Sequence, residues 1–370
     1  MRQQARTAFR FLPPAVAAAL TFSLVVWLTE QGPGLSPDSA YYLSAAENLL
    51  SGSGLTTFEG RPLTTWPPLF PVLIAGLGSV GVSPAEAARV INAAAAGLAV
   101  LVFGLLADRL LRRPELRLLA LVGIISVPLL SVALMAWTEA VFVLLCLLFV
   151  LLFARWLDTG KTLVLAAAAS CTALPALQRW AGLALIPAGI LLVLTAAGPV
   201  SRLRRAGLAL LFAVIGLGPP AAWMVRNLAV AGTLAGRRPF TSGSLPAALR
   251  ELGTVVGEYL LPDFLLTDWS WLPVLAVVAL FVFWRLRRTW QAPGPAAHFE
   301  RVLGLTTAAY VAGVALVLTP HALEQVARLL VPAWPLLLLL MLAALQQVAE
   351  DIGRRVGRPT VIRALAALLA

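Results

Sequence analysis

The sequence predicts an all-α, polytopic membrane protein, and three observations carry that prediction. Hydrophobic residues make up 60% of the chain and charged residues only 12%, with a mean hydropathy of +0.89, whereas soluble domains run nearer roughly one-quarter charged. Apolar runs long enough to cross a hydrocarbon core of roughly 30 Å recur along the whole length. Arginines gather between alternate runs, as expected of cytoplasmic loops. The net charge of +11 is thereby read as topology, and nucleic-acid binding is set aside as a function class.

The runs fall at about 11–29, 87–107, 117–136, 138–156, 162–178, 181–197, 206–225, 271–284, 302–319 and 329–348. That gives about ten transmembrane helices in a single integral-membrane domain, 1–370. Arg2, Arg6 and Arg10 precede the first run, which is too long for a secretory leader and has no small-x-small site after it. It reads as a retained signal anchor with a cytoplasmic N-terminus. The stretch from Trp66 to Gly81 is proline-rich at its start and barely long enough to span, so it reads as a juxtamembrane or re-entrant helix in a first outward loop, 30–86. Leaving it out of the span count places Arg109, Arg112, Arg113, Arg202, Arg204, Arg205, Arg285, Arg287 and Arg288 together on the inner side; counting it would invert everything downstream. A second outward loop, 226–270, contains an amphipathic helix over 246–260, placed to lie on the membrane or to cover a cleft. Cys146 and Cys171 lie inside apolar runs and form no disulfide framework or metal-spaced pair. A single lysine, Lys161, among 28 basic residues points to a GC-rich bacterial coding bias.

The first long polar interruption, residues 36–71, holds Asp38, Glu47, Glu59 and Arg61 beside Tyr41, Tyr42 and Trp66. Ser36 before Pro37 reads as an N-cap followed by proline at the first helical position, so a short surface helix is expected over 36–51, ended by Gly52 and Gly54. Tyr41 and Tyr42, three and four residues after Asp38, share or neighbour its face. Ser83-Pro84-Ala85-Glu86 is a capping box that opens the second span. An acid in a first turn is stabilised by the helix dipole by about 0.3–1 kcal/mol, so Asp38 alone proves little. Its aromatic neighbours are of the types that stack on sugars and line membrane interfaces.

Glu139 follows Trp137-Thr138 at the outward start of the fourth span and has the same dipole reading as Asp38. Arg179 and Arg226 sit at outward C-terminal helix ends, where a cation is favoured in any case. Arg328 begins a span that runs inward, where the dipole disfavours a cation. It therefore requires an anionic partner, either a phosphate in the cleft or Glu324 one turn earlier. His321 and Asn227 are placed to add hydrogen bonds to a substrate, and Arg237 and Arg238 read as a solvated or headgroup-facing pair. Gly76, Gly78 and Gly81 match a dinucleotide pattern but follow no strand and fail that motif's context. The small residues from Asn92 to Gly97 read as helix-packing surface.

Taken in order, the segments PDSAYYLSAAENLLSGSGL with WPPLFPVL, then WTEAVFVLL, ALQRWAGLALIPA, PPAAWMVRNLAVAGTLAGRRP and ARLLVPAWPLLLLL resemble the GT-C membrane glycosyltransferases that use polyprenyl-phosphate sugars, in particular the branch with protein O-mannosyltransferases and aminoarabinose transferases. The resemblance covers most of residues 30–345. It implies a catalytic aspartate in the first outward loop, onto which Asp38 maps, and basic residues around a donor phosphate, onto which Arg179, Arg226 and Arg328 map. Many relatives follow the aspartate with glutamate where this chain has Ser39, and the large C-terminal soluble domain of some relatives is not matched.

The implied activity is transfer of a sugar from a polyprenyl-phosphate donor to a glycan, lipid or protein acceptor, on the non-cytoplasmic face of a bacterial inner membrane. Asp38 would serve as general base and Arg328, with Arg179 and Arg226, as leaving-group clamp; Tyr41, Tyr42, Trp66, Glu139 and His321 would line the substrate site. The lipid-linked sugar is the only co-substrate expected. A divalent metal bridged by Asp38, Glu139 and Glu324 is disfavoured by the arginine supply and the lack of a DxD-like pair. The alternatives are a transporter or flippase of a lipid-linked or anionic substrate, and a non-enzymatic assembly subunit. Transporters place charges near the midplane, whereas here they lie at helix ends.

Overall fold

A computed structural model describes residues 2–196, 201–236, 244–262, 265–292, 294–318 and 326–356. The helices are α1 (Arg2–Leu28), α2 (Pro37–Leu50), α3 (Leu69–Gly78), α4 (Pro84–Leu110), α5 (Pro114–Ile124), α6 (Val127–Ala133), α7 (Glu139–Thr159), α8 (Thr162–Gln178), a 3-10 turn at Trp180–Ala184 leading into α9 (Leu185–Thr195), α10 (Arg202–Ala231), α11 (Leu245–Leu260), α12 (Trp271–Gln291), α13 (Pro295–Leu318), α14 (Val326–Leu330) and α15 (Ala333–Val356). Among the described residues the only β-structure is two isolated bridges, Gly34 with Met135 and Thr56 with Pro62.

The expected spans fall mainly on helix, with breaks at 125–126 inside the 117–136 run and at 331–332 inside the 329–348 run, and the chain is a multi-pass membrane protein. Among the described residues, 7 helical segments are long and apolar enough to cross a bilayer. The others differ for local reasons. α8 is 17 residues long and stops before Arg179. The 181–197 run is split between the 3-10 turn and α9. α12 carries Arg285, Arg287 and Arg288 in its C-terminal part. α3 has 10 residues and, at roughly 1.5 Å per residue, is too short to cross, in keeping with a juxtamembrane reading of that segment.

The core is built from small residues and phenyl rings. α1 packs along α4, and α4 and α8 both pack on α7. The Ala-rich face of α4 is buried at Ala88, Ala93, Ala96 and Ala99, and a Cβ on Gly97 would come within 2.9 Å of the Ala18 carbonyl oxygen on α1. This is the close backbone approach that small residues permit between membrane helices. Phe149 and Phe153 of α7 meet Phe212 of α10 edge to face, a geometry that favours ring pairs beyond area burial. α13 packs against α7, α12 and α15. Large apolar side chains point outward from α1 and α10, among them Trp27 at 66% exposed and Leu210 at 66%, as a lipid-facing surface requires.

Punctuation follows the sequence with one difference. The Ser36 backbone N–H donates to Ser39 Oγ at 3.1 Å, and α2 ends before Gly52, which has φ +83°. At α4, Ser83 Oγ accepts from the Glu86 N–H at 3.4 Å. Glu86 does not complete the box; its carboxylate pairs with Arg89 at 2.6 Å instead.

Candidate active site

One end of the bundle gathers charge from four separate stretches of chain. Asp38 stands in the first turn of α2 and Glu139 opens α7; Arg179 follows the last residue of α8, and Arg328 lies in α14. Arg179 Nη1 is hydrogen-bonded to Glu139 Oε1 and donates to Thr138 Oγ1 at 3.3 Å. Arg328 Nη2 is hydrogen-bonded to an Asp38 carboxylate oxygen, and its Nε lies 3.4 Å from Glu139 Oε1. That Nε–H is buried without hydrogen-bond alignment to any acceptor. The guanidinium also sits over the Trp137 ring, 4.8 Å from its centroid, a cation–π placement.

Two carboxylates and two guanidinium groups make this cluster formally neutral. It is also graded in depth. The Glu139 side chain is 1% exposed, and the Asp38 side chain 21%. Burial works against the Arg179 charge, but Glu139 beside it raises the guanidinium above its usual range, so it stays protonated.

The scaffold that converges these groups is mostly backbone. The Gly34 N–H donates to the Leu134 carbonyl at 2.8 Å, and the Ala136 N–H donates back to Gly34 at 2.8 Å. A Cβ at Gly34 would fall 2.2 Å from Met135 Sδ, so any larger residue there must displace the Met135 side chain. Trp137 Nε1 donates to Ser36 Oγ at 2.7 Å. Asn92 Nδ2 donates to the carbonyls of Met135 at 2.7 Å and Trp137 at 2.9 Å, while Gln178 Nε2 donates to Thr138 at 3.2 Å. Asn92, read from sequence as packing surface, therefore has a second role in fixing the segment that presents Glu139. Its only sequence signal was a lone amide in an alanine-rich helix.

The aromatic residues of the polar island are used on one another. Tyr41 stacks on Trp66 with centroids 4.1 Å apart and also touches Phe58 at 4.9 Å; its hydroxyl donates to Glu59 at 3.2 Å. Burial, reinforced by that hydrogen bond, raises the Tyr41 phenol above its usual range. Tyr42 is buried, with its ring edge-on to Trp66 and Phe70, so it is core beneath the site and not an open sugar-stacking face. Asn48 ties the following turn back onto α2 by donating to Thr56 at 2.9 Å and Thr57 at 3.1 Å.

Arg226 lies outside the charge cluster. Its Nη1 donates to the Leu63 carbonyl at 2.6 Å, and its guanidinium stacks over Trp223 at 4.5 Å. Asn227 donates to Thr64 at 3.3 Å and Trp180 Nε1 to Thr65 at 2.9 Å. Three consecutive carbonyls leading into Trp66 are thus held by side chains from α10 and the 3-10 turn. The family resemblance grouped Arg226 with Arg179 and Arg328 around a donor phosphate; in the structure its contacts are the Leu63 carbonyl, Asn227 and Trp223.

The dipole argument for Arg328 also changes. The span expected at 329–348 breaks at Pro332, and Arg328 lies in the last turn of the separate helix α14. Its partners are Asp38 and Glu139. His321, Glu324, Arg237 and Arg238 lie outside the described residues. Among those described, no group of three or more His, Cys, Asp and Glu side chains is arranged to hold a metal ion.

No protein-family model and no curated relative matches the sequence. Solved structures do match. ArnT from Cupriavidus metallidurans in the apo state superposes with a TM-score of 0.61 at 18% identity, over 95% of this chain and 62% of that one. The same protein bound to undecaprenyl phosphate gives 0.59 at 17% identity, over 97% and 64%. The archaeal oligosaccharyltransferase AglB from Archaeoglobus fulgidus, in complex with an inhibitory peptide and a dolichol-phosphate, gives 0.52 at 12% identity, over 98% and 54%. This chain spans less than two-thirds of the length of each of them. The described helices share the membrane fold of these ArnT and AglB structures.

Proposed function

We propose that this protein is a membrane glycosyltransferase that moves a sugar from a polyprenyl-phosphate donor to a hydroxyl acceptor at the non-cytoplasmic face of a bacterial inner membrane. The observation that carries the reading is the meeting of Asp38, Glu139, Arg179 and Arg328 from four distant segments at one end of the bundle. ArnT and AglB, which share the fold, are described with polyprenyl or dolichol phosphate bound. The acceptor is an envelope glycan, lipid or protein.

The reaction needs one proton removed and one phosphate charge stabilised. The acceptor oxygen attacks the anomeric carbon and its proton passes to an Asp38 carboxylate oxygen, a general-base contribution of roughly 10²- to 10⁴-fold. The bond from the anomeric carbon to the phosphate oxygen breaks, and its electron pair leaves on the polyprenyl phosphate. Arg328 faces that developing charge, as preorganised donors do.

The geometry adds an ordering to these events. Arg328 is hydrogen-bonded to Asp38. A donor phosphate competes for that guanidinium and frees the Asp38 carboxylate oxygen to accept the proton of the attacking hydroxyl. Donor binding thereby arms the base. Arg179 stays with Glu139, sets the wall behind Arg328 and gives the neutral cluster a fixed side. Arg226 acts by holding the 63–65 carbonyls and, through them, Trp66.

The test is transfer by the purified protein in liposomes, supplied with labelled polyprenyl-phosphate hexoses and pentoses. Release of polyprenyl phosphate in step with sugar transfer, surviving exhaustive chelation, is expected. Movement of intact donor across the bilayer without cleavage would establish the transporter reading instead, and loss of transfer on chelation would require a metal in the step.

A further inference from the structure

Arg328 lies in the last turn of α14, whose described residues are Val326–Leu330. The helix is followed by the turn at Val331 and Pro332. Proline has no N–H, so the Arg328 carbonyl four residues before it has no helical donor, and the carbonyls on either side of it lie in the last turn, where partners within a helix run out. The direction of the Arg328 side chain therefore depends on what takes those carbonyls.

Two tyrosine hydroxyls take them, one on each side of Arg328. Tyr259 of α11 donates to the Ala327 carbonyl at 2.6 Å, and Tyr310 of α13 donates to the Leu329 carbonyl at 2.7 Å. Tyr310 is 1% exposed, with its ring 5.5 Å from that of Phe142. The Tyr259 ring meets Trp334 edge-on at 5.8 Å. Each ring is packed independently of its hydroxyl, so phenylalanine preserves the packing and removes only the hydrogen bond.

We propose that Tyr259 and Tyr310 are positioning residues that brace α14 from both sides and aim Arg328 at the anion it binds. The brace rests on the reading of Arg328 as a phosphate ligand. It also gives α11 a function. That helix lies in the second loop segment between spans and supplies one of the two hydroxyls, so the phosphate site is complete only when α11 is docked. No sequence pattern marks either tyrosine, because they lie in different helices from the residue they serve.

The experiment is a double-mutant cycle read as equilibrium binding of undecaprenyl phosphate to the full chain in nanodiscs. Tyr259→Phe, Tyr310→Phe and Arg328→Gln are measured singly, and each tyrosine change is also combined with Arg328→Gln. Loss of one bracing hydrogen bond is expected to weaken binding on the order of 5- to 150-fold for each tyrosine change alone. In the Arg328→Gln background the same change is expected to do nothing further, an outcome that a general loosening of the fold would not produce. Undiminished binding by both phenylalanine variants, or losses that persist without Arg328, would overturn the brace while leaving the phosphate reading intact. Wild-type binding by Arg328→Gln would overturn the phosphate reading itself, and the brace with it. Should Tyr310→Phe fail to fold, Tyr259→Phe, on a partly buried ring, carries the cycle alone.

Discussion

Arg179 and Arg328 approach the same carboxylate from opposite sides, and they are built for different tasks. Arg179 is bound to Glu139, whose side chain is 1% exposed, and to Thr138, and it follows directly on the end of α8. Arg328 reaches Glu139 only at 3.4 Å, spends its Nη2 on Asp38 at the more open edge, and lies in the last turn of α14. One guanidinium is held on a buried carboxylate; the other, equally buried at 15% exposed, is held on a more open one. A site that must admit an anion and later release it needs one of each, since a buried pair resists separation.

The strongest way to break this contrast is at the buried pair. Arg179→Gln leaves Glu139 buried without its main partner and is expected to cost about 3–5 kcal/mol of stability, read from thermal or denaturant unfolding of the detergent-solubilised protein. Unchanged stability would mean that Arg328 can take over Glu139. The arginine on the more open carboxylate should behave oppositely. Arg328→Gln is expected to lower transfer by roughly 10²- to 10³-fold, as loss of one transition-state donor does, while costing no more than about 1–2 kcal/mol in unfolding because Asp38 is partly solvated and Glu139 keeps Arg179. Equal stability losses for the two variants would erase the distinction.

Smaller effects sharpen it. Gly34→Ala forces a methyl group against Met135 and should cost about 1–3 kcal/mol as overpacking, with loss of transfer because Asp38 and Glu139 are carried on the two segments it separates. At the opposite end of the bundle, Arg109 pairs with Asp158 at 2.6 Å, but the Asp158 side chain is 43% exposed. Arg109→Gln should cost about 1 kcal/mol or less and leave transfer unchanged. A larger effect there would show that the charges at that end do more than set topology.

Much of the fold was legible because it rests on composition and helix punctuation. The apolar runs, the proline after Ser36 and the capping box at Ser83 each act locally, and α2, α3, α4 and α11 appear where those signals place them. The breaks at Ser126 and Pro332 were less visible, since prolines inside a hydrophobic run are tolerated when neighbouring groups satisfy the freed backbone. For the site, the sequence singled out the four charges that the structure brings together, with Arg226 beside them, but dipole arguments could not pair them. Asp38 and Arg328 are separated by 290 positions, and no periodicity connects them. Residue type could not tell the buried Tyr42 from Tyr41 and Trp66, which stack on each other and stay partly exposed. The bracing groups, Asn92, Gly34, Tyr259 and Tyr310, act on backbone atoms of other segments and leave no motif.

The central claim is that Asp38 removes the acceptor proton once an anion has taken Arg328. It is tested most directly by single-turnover sugar transfer from a polyprenyl-phosphate donor with Asp38→Asn protein in liposomes, alongside equilibrium binding of undecaprenyl phosphate to the same preparation. The account predicts a transfer rate reduced roughly 10²- to 10⁴-fold, with phosphate binding equal to or tighter than wild type, because Arg328 no longer has a carboxylate to leave. Wild-type transfer by Asp38→Asn, or phosphate binding that falls with it, would contradict the account.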